Sequence, residues 1–271
     1  MDNNSARVPS SPERRLGIGR EFARKIAASR INVVLVARRQ DLLEALGTEL
    51  SNKFSVKHRV VAADLSREGF VAGLMEATHD LDVGLVISNA GSANPGRFTD
   101  KADEELAMTL RLSALAHAEL ALHFGRKLTK RGSGGILFVS AMGADTGAPF
   151  MAHDGGAKAY VQSLGLALHE EFKRNGVYVT VLSPGPTDTP ALARFGMDPK
   201  TMPVKPMKVS QVVEEGLNAL ASNRPMIVPG RLNRIMRAIV PSSLMRPMLA
   251  KMFERLPVVS KSPSKTGKLS L

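Results

Sequence analysis

Gly17-Ile18-Gly19 opens an amphipathic stretch and precedes a short apolar run at 31–37. Glycines in that position let a backbone turn come close to a ligand at a helix N-terminus, where free N–H groups and the helix dipole favour a pyrophosphate. An acid at the end of the following strand would bind the ribose 2′-hydroxyl of a dinucleotide. Here the run ends in Ala37-Arg38-Arg39, and guanidinium groups suit a 2′-phosphate instead. The same two arginines also read as solvated residues at the start of the next helix. Further polar groups follow later apolar runs: Ala63-Asp64-Leu65, Ser88-Asn89-Ala90-Gly91, and Pro184-Gly185-Pro186-Thr187-Asp188-Thr189. Each stands at the C-terminal end of an expected strand, where open α/β sheets bind their ligands.

The elements that must position these groups alternate along the chain. INVVLVA (31–37), VVAAD (60–64), VGLVIS (83–88), GILFVS (135–140), VYVTVLS (177–183) and PMIVP (225–229) are short, apolar and β-branched. They read as buried strands. Helical periodicity marks 20–29, 41–50, 106–128 and 159–174. Strands separated by helices imply right-handed βαβ crossovers and a parallel sheet covered on both faces. The expected fold is therefore α/β: a Rossmann-type, doubly wound parallel sheet over 17–230. A polar leader (1–16), two basic amphipathic helices broken at Pro241 (231–256) and a disordered Ser/Lys-rich tail (257–271) complete the chain.

The 271 residues contain no cysteine, which excludes disulfides, thiolate zinc sites and cysteine nucleophiles. No apolar run is long enough to span a bilayer, and the first thirty residues lack a signal-peptide core. The expected location is cytoplasmic. The net charge of +12 is concentrated at the C-terminal end, where residues 231–271 hold nine basic residues against Glu254 alone. With aromatic residues at 4 % of the chain, no stacking platform is apparent, and nucleic acid is not an expected partner. The basic helices read as a cap over a cleft or a dimer surface, or as a peripheral membrane contact through Ile235, Met236, Ile239, Leu244, Met245, Met248, Leu249, Met252 and Phe253. His117 and His123 lack metal spacing and read as helix-surface residues; no metal is expected.

The ordered set of motifs from about residue 17 to 230 resembles the short-chain dehydrogenase/reductase family, most of all its ketoacyl- and hydroxysteroid-type reductases. That resemblance implies NADP(H) as cofactor and a small carbonyl or alcohol as substrate. Gly17, Ile18 and Gly19 would line the pyrophosphate, with Arg38 and Arg39 selecting the phosphorylated ribose. Asp64 and Leu65 would flank the adenine, and Asn89, Ala90 and Gly91 would lie behind the cofactor ribose. Pro184, Gly185, Thr187 and Thr189 would adjoin the nicotinamide. A homo-oligomer formed through the helix 159–174 is also implied.

Two departures stand out. Family register places Pro12 and Glu13 at the Thr-Gly of the glycine motif, and the first, central strand at about 5–11. The sequence there is Ser-Ala-Arg-Val-Pro-Ser-Ser, and proline is poorly suited to a central strand. Either a polar segment fills that slot or the sheet has a defect. The family's chemistry also rests on Asn, Ser and a Tyr-x-x-x-Lys pair, of which only Lys158 matches. Asp154 holds the tyrosine position, Ala141 the serine position with Ser140 beside it, and Ser113 or Ala114 the asparagine position. Asp154 and Lys158 also read as a helical i,i+4 ion pair, with the lysine lowering the pKa of the acid. Tyr160 reads as a packing residue and His153 as an exposed loop residue. Two functions follow: an NADP(H)-dependent oxidoreductase acting on a carbonyl or alcohol, or a reductase-fold protein that has lost hydride transfer and keeps cofactor or partner binding.

Overall fold

The computed structural model describes residues 17–194, 197, 202 and 204–256. The leader, with the strand position at 5–11, and the tail 257–271 lie outside the described residues. In chain order the elements are α1 (Ile18–Ala28), β1 (Val33–Ala37), α2 (Gln40–Phe54), β2 (His58–Ala62), α3 (Phe70–Ala77), β3 (Leu85–Ser88) and α4 (Asp103–Leu110). A π turn over Arg111–Leu115 leads into α5 (Ala116–Arg131), β4 (Gly134–Val139), α6 (Ala152–Lys173) and β5 (Val177–Leu182). Then come α7 (Pro190–Arg194), α8 (Val209–Ala221), β6 (Met226–Ile227), α9 (Arg231–Ile239) and α10 (Ser242–Glu254).

The strands pair in parallel, β1 with β2 and β3-β4-β5-β6 in that order. Alternation along β4 shows why both faces are covered. Ile136 and Phe138 enter a core with α3, α5 and α6, whereas Leu137 and Val139 enter a second core with α1 and α8. Helix α6 lies close on the sheet because Gly165 has no Cβ; one built there would collide with Val181 Cγ2 and approach Phe138 Cδ2 to 3.0 Å. This is the doubly wound α/β architecture expected from the alternation of elements.

Among the described residues, β1 and β3 share no ladder. Helix α1 joins the two parts of the sheet. Phe22 packs with Leu137, Leu182 and the α8 valines, while Ala23 and Ala27, on the neighbouring stripe, pack with Val33, Leu35 and α2. Ion pairs from Arg20 and Arg24 to Glu49 tie α1 to α2, and Lys25 reaches Glu214 of α8.

Several sequence expectations are corrected. The stretch 106–128 is not one uninterrupted helix. The π turn inserts extra backbone and shifts the phase of α5 relative to α4, so that His117, Ala121, Phe124 and Leu128 form the inward stripe. His117 is fully buried rather than on the helix surface. Tyr160 is not packed within this chain; it is 46 % exposed on α6. His153 is not in a loop: it sits in the first turn of α6, with Nε2 2.7 Å from the Leu106 carbonyl oxygen, docking α6 against α4. Helices α3 and α8 fall between β2 and β3 and between β5 and β6, as the alternation of strands and helices requires.

Phe22 is 1 % exposed, and its removal leaves a cavity where α1 grips the four-stranded part of the sheet. Phe22→Ala is expected to lower the unfolding free energy by about 3–5 kcal/mol, as measured by urea denaturation.

Candidate active site

The candidate residues gather along the C-terminal ends of the strands. Gly17 caps α1 with extended backbone and no side-chain hydrogen bond, and a Cβ built there would meet nothing within 4 Å. Among the described residues, no side chain caps the first N–H groups of α1, which an anion could therefore meet. Gly19 lies against the end of β3: a Cβ there would be 2.9 Å from Asn89 Nδ2. Arg38 and Arg39 follow β1, are exposed, and have no ion-pair partner among the described residues. Asp64, after β2, accepts hydrogen bonds from the Ser66 N–H (3.0 Å) and hydroxyl (2.6 Å). These bonds, with Arg38 and Arg67 nearby, hold its carboxyl below the ordinary range despite partial burial. The helix end and the arginines, uncapped and unpaired among the described residues, leave donors for phosphate groups.

After β3, Gly91 meets Lys158 from α6. A Cβ at position 91 would stand 2.9 Å from Lys158 Nζ and 3.6 Å from Ser113 Oγ. Ser113 belongs to the π turn, and its hydroxyl oxygen accepts a hydrogen bond from the Ser92 N–H at 3.0 Å. Lys158 Nζ donates to the Val139 carbonyl at 2.8 Å. Burial pushes its ammonium down to about 8, against the opposing pull of the Asp154 carboxylate.

The expected Asp154–Lys158 ion pair does not form. Asp154 Oδ1 instead accepts from the Asn94 N–H at 3.3 Å, and the lysine turns to Val139. Asp154 is 6 % exposed. Burial raises its pKa, outweighing the Asn94 bond and the charges of Lys101 and His153. The sequence expectation of a lowered value is thereby reversed, because it counted the lysine and not the loss of water.

Strand β4 ends at Val139, and backbone bonds from the Ser140 N–H to Leu182 (2.8 Å) and from the Met142 N–H to Pro184 (2.9 Å) carry its pairing past Ala141. Ser140, beside the serine position, donates its hydroxyl to the Lys158 carbonyl at 2.8 Å. It anchors the α6 backbone and is not free for another acceptor. The Ala141 carbonyl accepts from the Ser183 hydroxyl at 3.1 Å. After β5, Thr187 donates to the Gly185 carbonyl at 2.9 Å. Helix α9 presses its buried Asn233 on the same turn, where a Cβ on Gly185 would lie 2.9 Å from Asn233 Nδ2.

His117 was not among the sequence candidates, yet it braces the loop that carries Gly91. Its Nε2 lies 2.8 Å from the Ala90 carbonyl oxygen, so that nitrogen carries the proton and donates. Nδ1, 2.7 Å away, then accepts from the Ser88 hydroxyl. Burial, reinforced by the charge of Lys158, depresses its pKa to about 3. Its place four residues after Ser113 is visible in the sequence, but its inward direction depends on the π turn. Among the described residues, no group of three or more metal-binding side chains is assembled.

Comparison with known proteins gives a consistent result. A family model described as short chain dehydrogenase matches residues 15–199. The 7beta-hydroxysteroid dehydrogenase of Collinsella aerofaciens is 30% identical over 176 residues, covering 65% of this chain and 67% of that protein. A 7beta-hydroxysteroid dehydrogenase structure superposes with a TM-score of 0.78 at 25% identity, over 88% of this chain and 92% of that one. A short-chain dehydrogenase from Sphingobium yanoikuyae, in complex with NADPH, gives 0.75 at 25% identity, over 94% and 95%.

Because His117 is held neutral in the fold, the unfolded chain takes up a proton below about pH 6.5 that the native state refuses until about pH 3. Stability from this group is fully present above pH 6.5 and is lost as pH falls through that window. In His117→Gln, the slope of unfolding free energy against pH between 3 and 6.5 should be shallower by up to about 1.4 kcal/mol per pH unit. Urea denaturation over a pH series measures it.

Proposed function

The chain belongs to the short-chain dehydrogenase family, and on that premise we propose that it binds NADP(H) along the C-terminal strand ends and reduces ketones feebly at neutral pH. The bound nicotinamide would supply or accept the hydride, and the protein's part is to hold the partners and to handle the proton at the carbonyl oxygen. One observation carries the second half of the proposal. The chain has two tyrosines, and both Tyr160 (46 %) and Tyr178 (42 %) are exposed. No phenol stands beside Lys158, and the family's tyrosine position holds the shorter Asp154. The serine position holds Ala141, which has no hydroxyl to orient a substrate oxygen. Lys158 keeps its positive charge at neutral pH, which would let it hold a ribose hydroxyl as the family resemblance implies, so cofactor binding would outlast the loss of the proton donor.

The cofactor half rests on the open, uncapped N-terminus of α1 and on Arg38 and Arg39. It is supported by the NADPH-bound relative from Sphingobium yanoikuyae. The substrate class, a carbonyl or secondary alcohol, follows from the family.

A second reading is favoured by the burial of Asp154. A carboxyl whose pKa is raised keeps its proton to higher pH than an exposed one, and it could serve as a weak acid in place of the phenol.

NADPH should bind more tightly than NADH in titration calorimetry. Arg38→Ala with Arg39→Ala should weaken NADPH by about tenfold or more while leaving NADH unchanged, the scale of a charge-assisted phosphate contact. Equal affinities of the unaltered protein for both cofactors would refute the assignment of the arginines.

With a ketone panel and NADPH at neutral pH, turnover should be negligible. Any residual activity should rise as pH falls and disappear in Asp154→Asn. Robust neutral-pH turnover that survives Asp154→Asn and is lost in Lys158→Ala would overturn the reading of the tyrosine position.

A further inference from the structure

Helix α10 has two apolar sides, where a surface helix needs one, and α9 turns its apolar side outward over a buried Asn233. Inward, Met245, Phe253 and Leu256 are buried, and Leu249 and Met252 pack with them. Outward, Leu232, Ile235 and Ile239 recur at i, i+3 and i+7 on α9 and are 57 %, 53 % and 71 % exposed. On α10, Leu244, Met248, Lys251 and Arg255 form a single stripe at i, i+4, i+7 and i+11. Leu244 is 65 % exposed and Met248 50 %. Ile239 and Leu244 flank the Val240–Pro241 break, so the elbow between the helices presents bare aliphatic side chains to solvent.

Apart from Glu254, the charges beside this face are positive. Arg231, Lys251 and Arg255 are exposed and lack an ion-pair partner among the described residues. The remaining arginines hold the helix pair in place. Arg234 bonds Glu215 at 2.8 Å, Arg237 bonds Asp145 at 2.9 Å, and Arg246 donates to the Thr146 carbonyl at 2.6 Å. Asp145 and Thr146 belong to the loop that follows β4, beside the candidate site. The helix pair is thus fixed to the loop after β4, with its outward face left to solvent.

We propose that the outward face of α9 and α10 is a peripheral docking surface for an anionic lipid bilayer. The elbow residues Ile239 and Leu244 enter the headgroup boundary, and Arg231, Lys251 and Arg255 meet lipid phosphates and carboxylates. Charge selects this occupant. A second copy bringing the same face would set cation against cation and leave Glu254 as the one acid between them. A nucleic acid would neutralise the cations but leave the aliphatic elbow in water, and the segment's aromatic residue, Phe253, is turned inward. No described helix is long and apolar enough to cross a membrane, which agrees with contact at the surface. The proposal stands independently of the cofactor reading.

The test is co-sedimentation of the full chain with phosphatidylcholine vesicles, with and without phosphatidylserine. Binding is expected only with phosphatidylserine and should weaken with salt. Ile239→Asp with Leu244→Asp should abolish it while the circular dichroism spectrum and Tm stay unchanged, since both side chains are exposed. Arg231→Gln, Lys251→Gln and Arg255→Gln should each cost about five-fold in partition coefficient. The proposal fails if neither vesicle binds, or if binding survives Ile239→Asp with Leu244→Asp, which would leave only diffuse attraction to basic residues. It fails equally if sedimentation velocity shows a dimer that those two substitutions dissociate, or if duplex DNA binds more tightly than the vesicles.

Discussion

Ile136 and Phe138 point into one apolar layer, Leu137 and Val139 into the other, and all four are buried. A parallel strand covered in this way has no face left for polar chemistry. Its only outlets are its ends, and the C-terminal ends are where the chain turns into loops with free backbone groups. The gathering of Arg38, Asp64, Asn89, Lys158 and Gly185 along one side of the molecule follows from that restriction. The same restriction explains α1. With β1 and β3 unpaired to each other among the described residues, one helix must serve two cores. It does so by placing Phe22 and Ala23 on adjacent stripes.

Polar groups that sit at the strand ends are half inside the core, so each must be bonded or pay for the water it loses. Lys158 spends its ammonium on the Val139 carbonyl, and Ser140 spends its hydroxyl on the Lys158 carbonyl. His117 spends both ring nitrogens on Ser88 and Ala90. The outcome is a braced lysine against Gly91 with little freedom to move. Asp154 is buried in the same neighbourhood without the lysine as its partner, which is why desolvation, and not charge attraction, sets the direction of its pKa.

The C-terminal helices belong to the same piece of physics. Asn233 against Gly185, Arg237 on Asp145 and Arg246 on Thr146 tie them to the loops that follow β5 and β4. They therefore rest on those loops while their other side meets solvent with Ile239 and Leu244.

The sequence by itself determined the alternation of strands and helices, the parallel sheet, the motifs at the strand ends, and the absence of a tyrosine four residues before Lys158. Periodicity and residue identity are local, so they survive without coordinates. Directions and partners are not local. The π turn before α5 rotated His117 inward, a change of phase that helical periodicity over 106–128 could not register. Tyr160 is expected to pack, but within this chain it stands 46 % exposed on its face of α6. Asp154 and Lys158 have ion-pair spacing, yet each found a backbone partner from another segment, Asn94 and Val139. Which of two polar groups a lysine bonds depends on what the fold brings within about 3 Å of it, and only the tertiary structure decides that.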